Sequence, residues 1–383
     1  MTSAVKPASE TELSEFIRTA DAPVEIIGTA TKRGLGRPVQ AAATLDMSGF
    51  AGIIAYEPDE LILEAGAGTR LSEVEALIAA RGQQLAFEPP DWSALLGSAH
   101  SGTLGGLVSC NLSGPRRLKS GAVRDHILGV RGVTGAGDVF KAGARVVKNV
   151  TGYDLPKLLT GSYGTLAALT SVILKVLPAP ETEETVALTG LNDEAAVRAM
   201  SLAMQSACEV SAAAHVPGEA VYLRLEGIEP SVAYRRDRLA RALGTPIEVL
   251  AAKSSAAKWR AIRDAAMFAE NPRHPLWRIS VAPSDAPGII QNLTGSIDFR
   301  YFFDWAGGLI WLEVPPTPDA SEALVRAAVR NGHVTLIRAP EAVRAAADVF
   351  QPQAEALAAL SARVKNSFDA RHLLNPGRMY RGV

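Results

Sequence analysis

The sequence of 383 residues predicts an α+β chain of two unlike domains, and three observations carry that reading. Glycine is crowded toward the start, with 22 of the 33 glycines at or before Gly164. An apolar run ends in Val176-Leu-Pro-Ala-Pro-Glu-Thr-Glu-Glu184, two prolines and then three acids, which places a linker near 178–184. Beyond the linker the hydrophobic pattern alternates between helix and strand periods in the order β-α-β-β-α-β, and that order occurs twice, as expected of two tandem ferredoxin-like units.

Within the glycine-rich part, Val24-Glu-Ile-Ile27 is a short strand that delivers a loop, Gly28-Thr-Ala-Thr-Lys-Arg-Gly-Leu-Gly36. A second strand, Leu61-Ile-Leu-Glu-Ala65, precedes Gly66-Ala-Gly68 and a helix with Leu71, Val74, Leu77 and Ile78 at helical spacing, which ends before Gly82. Ile127-Leu-Gly-Val-Arg-Gly-Val133 and Val139-Phe140 flank Gly135-Ala-Gly-Asp138 as a hairpin. Residues 155–159 read as a short helix and Ser171-Val-Ile-Leu-Lys-Val-Leu177 as a strand. After the linker, strands are expected at 184–190, 210–216, 220–227 and 246–251, with helices at 193–206 and 231–242. The repeat has strands at 276–282, 298–304, 308–314 and 333–337 and helices at 284–292 and 319–331. A last helix over 352–368 leads into Leu373-Leu-Asn-Pro-Gly-Arg-Met379, a tail too apolar to stay in solvent. The expected domains are 1–178, 179–365 as a cap, and a returning tail of 366–383.

Composition excludes several function classes. The chain is 48% hydrophobic and 21% charged, and 39 Lys+Arg against 40 Asp+Glu leave a net charge of -1, which is not the balance of a generally basic nucleic-acid binder. Cys110 and Cys208 form no C-x-x-C pair, and the six histidines form no H-x-H or H-E-x-x-H pair, so no metal site is indicated. Neither a Gly-x-Gly-x-x-Gly dinucleotide fingerprint nor a P-loop occurs; at Gly66-Ala-Gly68 the third glycine position is Leu71. Acidic and polar residues near the N-terminus and the lack of a long apolar run point to a cytoplasmic protein that reaches a membrane only through partners.

Two loops remain as candidates for binding. Gly28 to Gly36 is one, and Gly97-Ser-Ala-His-Ser-Gly-Thr-Leu-Gly-Gly106 with Asn111-Leu-Ser-Gly-Pro115 is the other. Small residues let main chain approach a ligand closely, and unblocked N–H groups with Ser/Thr hydroxyls can cradle a pyrophosphate. Residues 116–148 add eight basic side chains against Asp125 and Asp138, an excess suited to a diphosphate, to an acidic partner or to plain solvation.

These motifs, with Val147-Lys-Asn-Val-Thr-Gly-Tyr-Asp-Leu155, Leu159-Thr-Gly-Ser-Tyr-Gly-Thr165 and Leu373-Leu-Asn-Pro-Gly377, resemble the vanillyl-alcohol-oxidase, or PCMH-type, FAD-binding proteins. Within that superfamily Glu64-Ala-Gly-Ala-Gly-Thr-Arg70, Phe87-Glu-Pro-Pro90, Gly114-Pro-Arg-Arg117 and Gly121-Ala-Val-Arg-Asp125 are similar to the FAD-binding E subunits of glycolate oxidases. The resemblance implies a two-lobed FAD domain followed by a cap. It implies a first diphosphate loop at Gly28, Thr29, Ala30, Thr31, Lys32 and Gly36, with Pro90 among the cofactor-binding residues. A second diphosphate loop follows at Gly102, Thr103, Gly105 and Gly106, with Asn111, Ser113 and Gly114 near the flavin. Gly161, Gly164 and Thr165 are implied at the adenine side or diphosphate, and Asn375 at the flavin edge. Relatives often carry Gly-Gly-Gly-Thr or a histidine in the first loop; Gly28-Thr-Ala-Thr-Lys32 has no histidine, so the FAD is expected to be non-covalent.

Relatives that oxidise 2-hydroxy acids carry an H-G-D-G-N-x-H signature in the cap, and the nearest segment here, Asn331-Gly-His333, lacks its acid and second histidine. No catalytic residue is therefore assigned. The resemblance implies an FAD-carrying subunit of a multisubunit glycolate oxidase, working with a catalytic flavoprotein and an iron–sulfur subunit, peripheral at the inner membrane through that complex. A self-sufficient 2-hydroxy acid dehydrogenase and a scaffold that has lost FAD are the alternatives. Among single residues, Cys110 reads as packing, His100 as structural or flavin-proximal, and Asp154 beside Tyr153 as a helix cap. Lys148 and Asn149 are candidates for the flavin pocket, His333 for strand entry, and Trp305 and Trp311 for core or interface.

Overall fold

A computed structural model describes residues 3–146 and 152–383 of the protein. The candidates Lys148 and Asn149 lie outside the described residues. The chain forms two compact units, Met1–Ser113 with Gly121–Ala179 and Pro352–Val383, and Gly114–Ser120 with Pro180–Gln351.

The first unit holds two main sheets. Ala43–Asp46 is the centre of a parallel sheet, flanked by Ser3–Val5 and Val24–Ile27. Helix Glu10–Thr19 starts where the Ser9 hydroxyl accepts from the Glu12 amide, and it buries Leu13 and Ile17, four residues apart on one face. These two pack with Val24, Leu45, Val133 and Leu374 into one cluster. The second sheet is antiparallel, in the order Ile53–Glu57, Ile62–Gly66, Ala167–Lys175, Ile127–Thr134, Val139–Gly143. Ala167–Lys175 is buried at every position but its last, so its sequence shows no in–out alternation, and Thr170 and Ser171 are buried with the apolar residues around them. The expected hairpin is present; the strand expected at 171–177 begins earlier, at Ala167.

In the second unit eight strands form one sheet, in the order Glu248–Leu250, Thr182–Thr189, Ala220–Gly227, Ala212–Val216, Arg300–Asp304, Leu309–Glu313, Leu276–Ser280, His333–Arg338. Each half thus runs fourth, first, third, second strand, all neighbours are antiparallel, and the halves meet where His215 pairs with Phe303. Helices Asp193–Gln205, Glu229–Leu243 and Ala286–Leu293 carry Met200, Val232 and Ile290 into a core with Leu223, Trp277, Phe303 and Ile310. Trp305 and Trp311 are buried, and His333 is exposed at the start of its strand. Among the described residues no helix is long and apolar enough to cross a membrane.

Two chain segments fall in a different unit from the one expected. Helix Glu355–Phe368 belongs to the first unit, because its Lys365 is fully buried there and donates to the Thr165 carbonyl. Gly114–Ser120 belongs to the second, where the Arg116 guanidinium grips the Glu226 carboxylate (2.6 and 3.0 Å) and Arg117 lies 4.4 Å over the Trp305 ring.

A close main-chain approach in the first unit gives a test of the packing. The ladder between Ile127–Thr134 and Ala167–Lys175 shifts register at Arg131/Gly132, and a Cβ on Gly132 would lie 2.6 Å from the Ala168 carbonyl oxygen. Gly132→Ala is expected to lower stability by about 1–3 kcal/mol, read as a lower urea midpoint with an unchanged slope.

Candidate functional site

The two loops singled out by their composition meet in the first unit. Strand Val24–Ile27 delivers Gly28 against Thr103, so closely that any Cβ at residue 28 would collide with the threonine hydroxyl. Thr29 Oγ1 donates to the Ser101 carbonyl at 2.8 Å, a second tie between the loops. Residues 104–106, read as the end of a loop for their glycines, open the helix Leu104–Cys110, and Thr103 Oγ1 accepts from the Gly106 amide (3.3 Å) as its cap. The Gly105 amide donates to Ala67 O at 2.7 Å, and a Cβ there would be 2.8 Å from the Ala67 methyl group. Gly66-Ala-Gly68 therefore seats the helix start, a packing role in place of a dinucleotide fingerprint.

A cleft runs between these segments. Of the expected residues, Gly28, Thr29, Ala30, Thr31, Lys32, Thr103, Gly105, Gly106, Gly164 and Asn375 line it. Ile26, Ile27, Met47, Ala67, Ala167 and Leu169 supply an apolar wall. Ala30 sits at φ 59°, a backbone region that favours glycine. Half-buried Lys32 makes, among the described residues, one ammonium hydrogen bond, a long one of 3.4 Å to Thr31 Oγ1, and burial pushes its pKa below the ordinary lysine value. Lys32 is thus an under-satisfied cation beside main chain free of side chains, an arrangement able to bind an anionic group.

The other expected residues are placed off this cleft. Gly36, at φ 76°, packs against the Arg378 carbonyl, and Pro90 is buried elsewhere. Gly102 lies beneath the Lys32 ammonium. Asn111 ends the helix at φ 50° with its Oδ1 accepting from the Arg124 amide, and Ser113 Oγ accepts from the Val123 amide. Gly114 belongs to the second unit, where its carbonyl accepts from Trp305 Nε1 at 3.2 Å. Gly161 donates to Val108 O, and Thr165 Oγ1 to Ser162 O. Asn375, in the cleft lining, is buried, with Oδ1 accepting from the Ile26 amide and Nδ2 donating to the Tyr163 carbonyl, both at 2.8 Å. Asp154 caps the helix Leu155–Leu159 through the Lys157 amide, Tyr153 is solvent-exposed, and His100 is exposed.

Sequence reasoning missed Ser109, Tyr163 and Arg378 in the lining and read Cys110 only as packing. Burial raises the Cys110 thiol pKa, so the thiol stays protonated. Arg378 is held by the Lys32 carbonyl (2.6 Å) and lies 3.7 Å from Glu25. Its position directly after Asn375-Pro-Gly377 was the available signal.

Comparison with known proteins adds to this geometry. A family model described as an FAD binding domain matches residues 2–143. The Escherichia coli glycolate oxidase subunit GlcE is 35% identical over 364 residues, 94% of this chain and 93% of that protein. Bacillus subtilis glycolate oxidase subunit GlcD is 40% identical over 115 residues, 30% of this chain and 24% of that one. Among solved structures, 4-ethylphenol oxidase from Gulosibacter chungangensis superposes with a TM-score of 0.72 at 13% identity over 98% of this chain and 88% of that one. p-Cresol methylhydroxylase with substrate bound gives 0.71 at 15% identity over 99% and 88%. The low identities speak for the fold alone, which is the PCMH-type FAD-binding fold. Likeness to GlcE along nearly the full length of both chains goes further: this chain belongs to the family of the glycolate oxidase subunit GlcE, among the FAD-binding oxidoreductases.

Proposed function

We propose that this chain is the FAD-carrying subunit of a multisubunit glycolate oxidase, in which glycolate is converted to glyoxylate on a partner flavoprotein of the GlcD kind and an iron–sulfur subunit receives electrons. The full-length likeness to GlcE carries the reading. The cleft fits the cofactor on its own terms. Lys32 offers an under-satisfied cation for the diphosphate, Gly28, Gly105 and Gly106 offer bare main chain beside it, and Ile26, Ile27, Met47 and Leu169 offer an apolar surface for a ring. Bound FAD would supply a carrier that accepts two electrons and can release them singly. The chain's own residues hold, orient and desolvate that carrier. Non-covalent attachment is supported by the lining, which among the described residues has no histidine, and by half-buried Cys110, whose thiol pKa is raised by burial.

The visible spectrum of the purified chain tests this directly. A yellow protein that stays oxidised under anaerobic glycolate, and bleaches once the partner subunits are added, is the expected result. Bleaching by the chain alone would assign substrate oxidation to it, and a protein that takes up no FAD would make it a scaffold. Acid denaturation should release all the flavin into the supernatant; colour that stays with the precipitate would contradict non-covalent binding. Lys32→Met should weaken FAD binding about tenfold or more, the scale of one charge-assisted hydrogen bond, with the far-ultraviolet circular dichroism unchanged.

A further inference from the structure

The helix Glu355–Phe368 is exposed along its first turns and buries one charged side chain near its end, Lys365, at 0% exposure. The Lys365 ammonium donates to Asp369 Oδ2 at 2.7 Å, to the Thr165 carbonyl at 2.6 Å and to the Leu374 carbonyl at 3.0 Å, so all three of its N–H bonds are used. Asp369 in turn accepts from the amides of Leu373 (3.0 Å) and Leu374 (2.8 Å). Gly135 leaves the room for that carboxylate, since a Cβ there would collide with Asp369. Neither Lys365 nor Asp369 lines the cleft.

The two carbonyls held by this ammonium have one thing in common. Thr165 follows Gly164 and Leu374 precedes Asn375, and both Gly164 and Asn375 line the cleft. Asn375 then bridges the Ile26 amide and the Tyr163 carbonyl, which joins the strand entering the first loop to the turn on the opposite wall. We propose that Lys365 is a positioning residue for the FAD cleft: from one buried ammonium it fixes the spacing between the Tyr163–Gly164 turn and the returning tail, and through Asn375 the exit of strand Val24–Ile27 toward Gly28. The geometry resembles a knot with three ends. Remove the cation, and the two buried carbonyls lose their donor while the carboxylate keeps only the Leu373 and Leu374 amides and no counter-charge, so the tail must move away from the turn.

This inference rests on the FAD reading of the cleft, and the experiment separates the two. Apo Lys365→Met, as the full chain, is titrated with FAD by quenching of flavin fluorescence. Its thermal midpoint and the hydrogen exchange of the Ile26 amide are measured alongside. The expected result is a dissociation constant raised about tenfold or more and faster exchange at Ile26, in a protein with native circular dichroism. Lys365→Arg should recover part of the affinity, because a planar guanidinium keeps the charge but cannot converge on all three acceptors. A lowered midpoint with FAD affinity within about twofold of wild type would reduce Lys365 to a purely structural role and overturn the inference. If Lys365→Met does not fold, Asp369→Asn, which removes the carboxylate charge while keeping its shape, is read by the same two measurements. A wild type that takes up no FAD would defeat the cofactor reading, and the exchange rate at Ile26 would then decide the positioning role alone.

Discussion

The absence of a side chain at residue 28 is the constraint on which the first unit's cleft depends. Because Thr103 occupies the volume a Cβ would need, the end of strand Val24–Ile27 and the start of helix Leu104–Cys110 can lie main chain against main chain. Each partner is held from behind. The strand is paired with Ala43–Asp46, and the helix start is hung on the carbonyls of Thr69 and Ala67 through the Leu104 and Gly105 amides. With both sides fixed, the loop after Gly28 must turn outward, and Lys32 is carried over Gly102. This side of the cleft is therefore walled by peptide groups, and Lys32, an under-satisfied cation, stands where an anionic ligand would meet them.

Charge is used differently in the two units. In the second unit the buried ions are closed on one another: Arg116 on Glu226, and Arg338 on Glu313 with two further bonds to the carbonyls of His274 and Phe268. Such pairs contribute little net stability over a well-packed apolar core, yet each is strongly destabilising to break, so they fix which segment docks where. The Arg116 pair does this for Gly114–Ser120, a short stretch whose sequence neighbours belong to the other unit. In the first unit Lys365 and Asp369 do the same for the tail, and what they hold is the rim of the cleft.

How much of this was legible in the sequence follows from what each signal reports. Strand and helix order in the second unit was readable because short apolar runs alternate with segments of helical period; Leu309–Glu313 is buried at all five positions, and Ile310 and Leu312 join Phe303 in the core with the helices. The two loops that line the cleft stood out because glycine and threonine cluster in them. The helix Leu104–Cys110 was hidden by the same glycines, whose low helix propensity is overridden by a threonine cap and by the close seat on Ala67. Strand Ala43–Asp46, central to its sheet, is only four residues long and was too short for a period to show. Asn375 was expected at the flavin edge and lies in the cleft lining, and composition could not reveal that its amide bridges Ile26 and Tyr163. Lys365 left no signal at all, since a lysine on an amphipathic helix reads as solvent-facing until the fold wraps three acceptors around it.

The disposition of titratable groups also bears on how work is divided between this chain and its proposed partners. In the second unit His215 is buried and bonded to Asp193 at 3.1 Å, whose other oxygen accepts from Tyr301 at 2.6 Å. Burial, with the neighbouring carboxylate, pushes the Tyr301 hydroxyl above its ordinary pKa, so it remains a donor to Asp193 at any physiological pH. His274 lies 3.7 Å from Glu313, within the set of contacts that also holds Arg338, and His333 stands exposed at the start of a strand. Removing a proton from a substrate hydroxyl requires a base within hydrogen-bond reach of it, and these imidazoles are either engaged in the unit's own structure or dispersed. The first unit, by contrast, presents a cleft in which the Lys32 ammonium keeps donor capacity beside glycine main chain. A cofactor cradle in one unit, beside imidazoles that serve the packing of the other, suits a chain that carries electrons another subunit removes from the substrate, which is the division of labour proposed above.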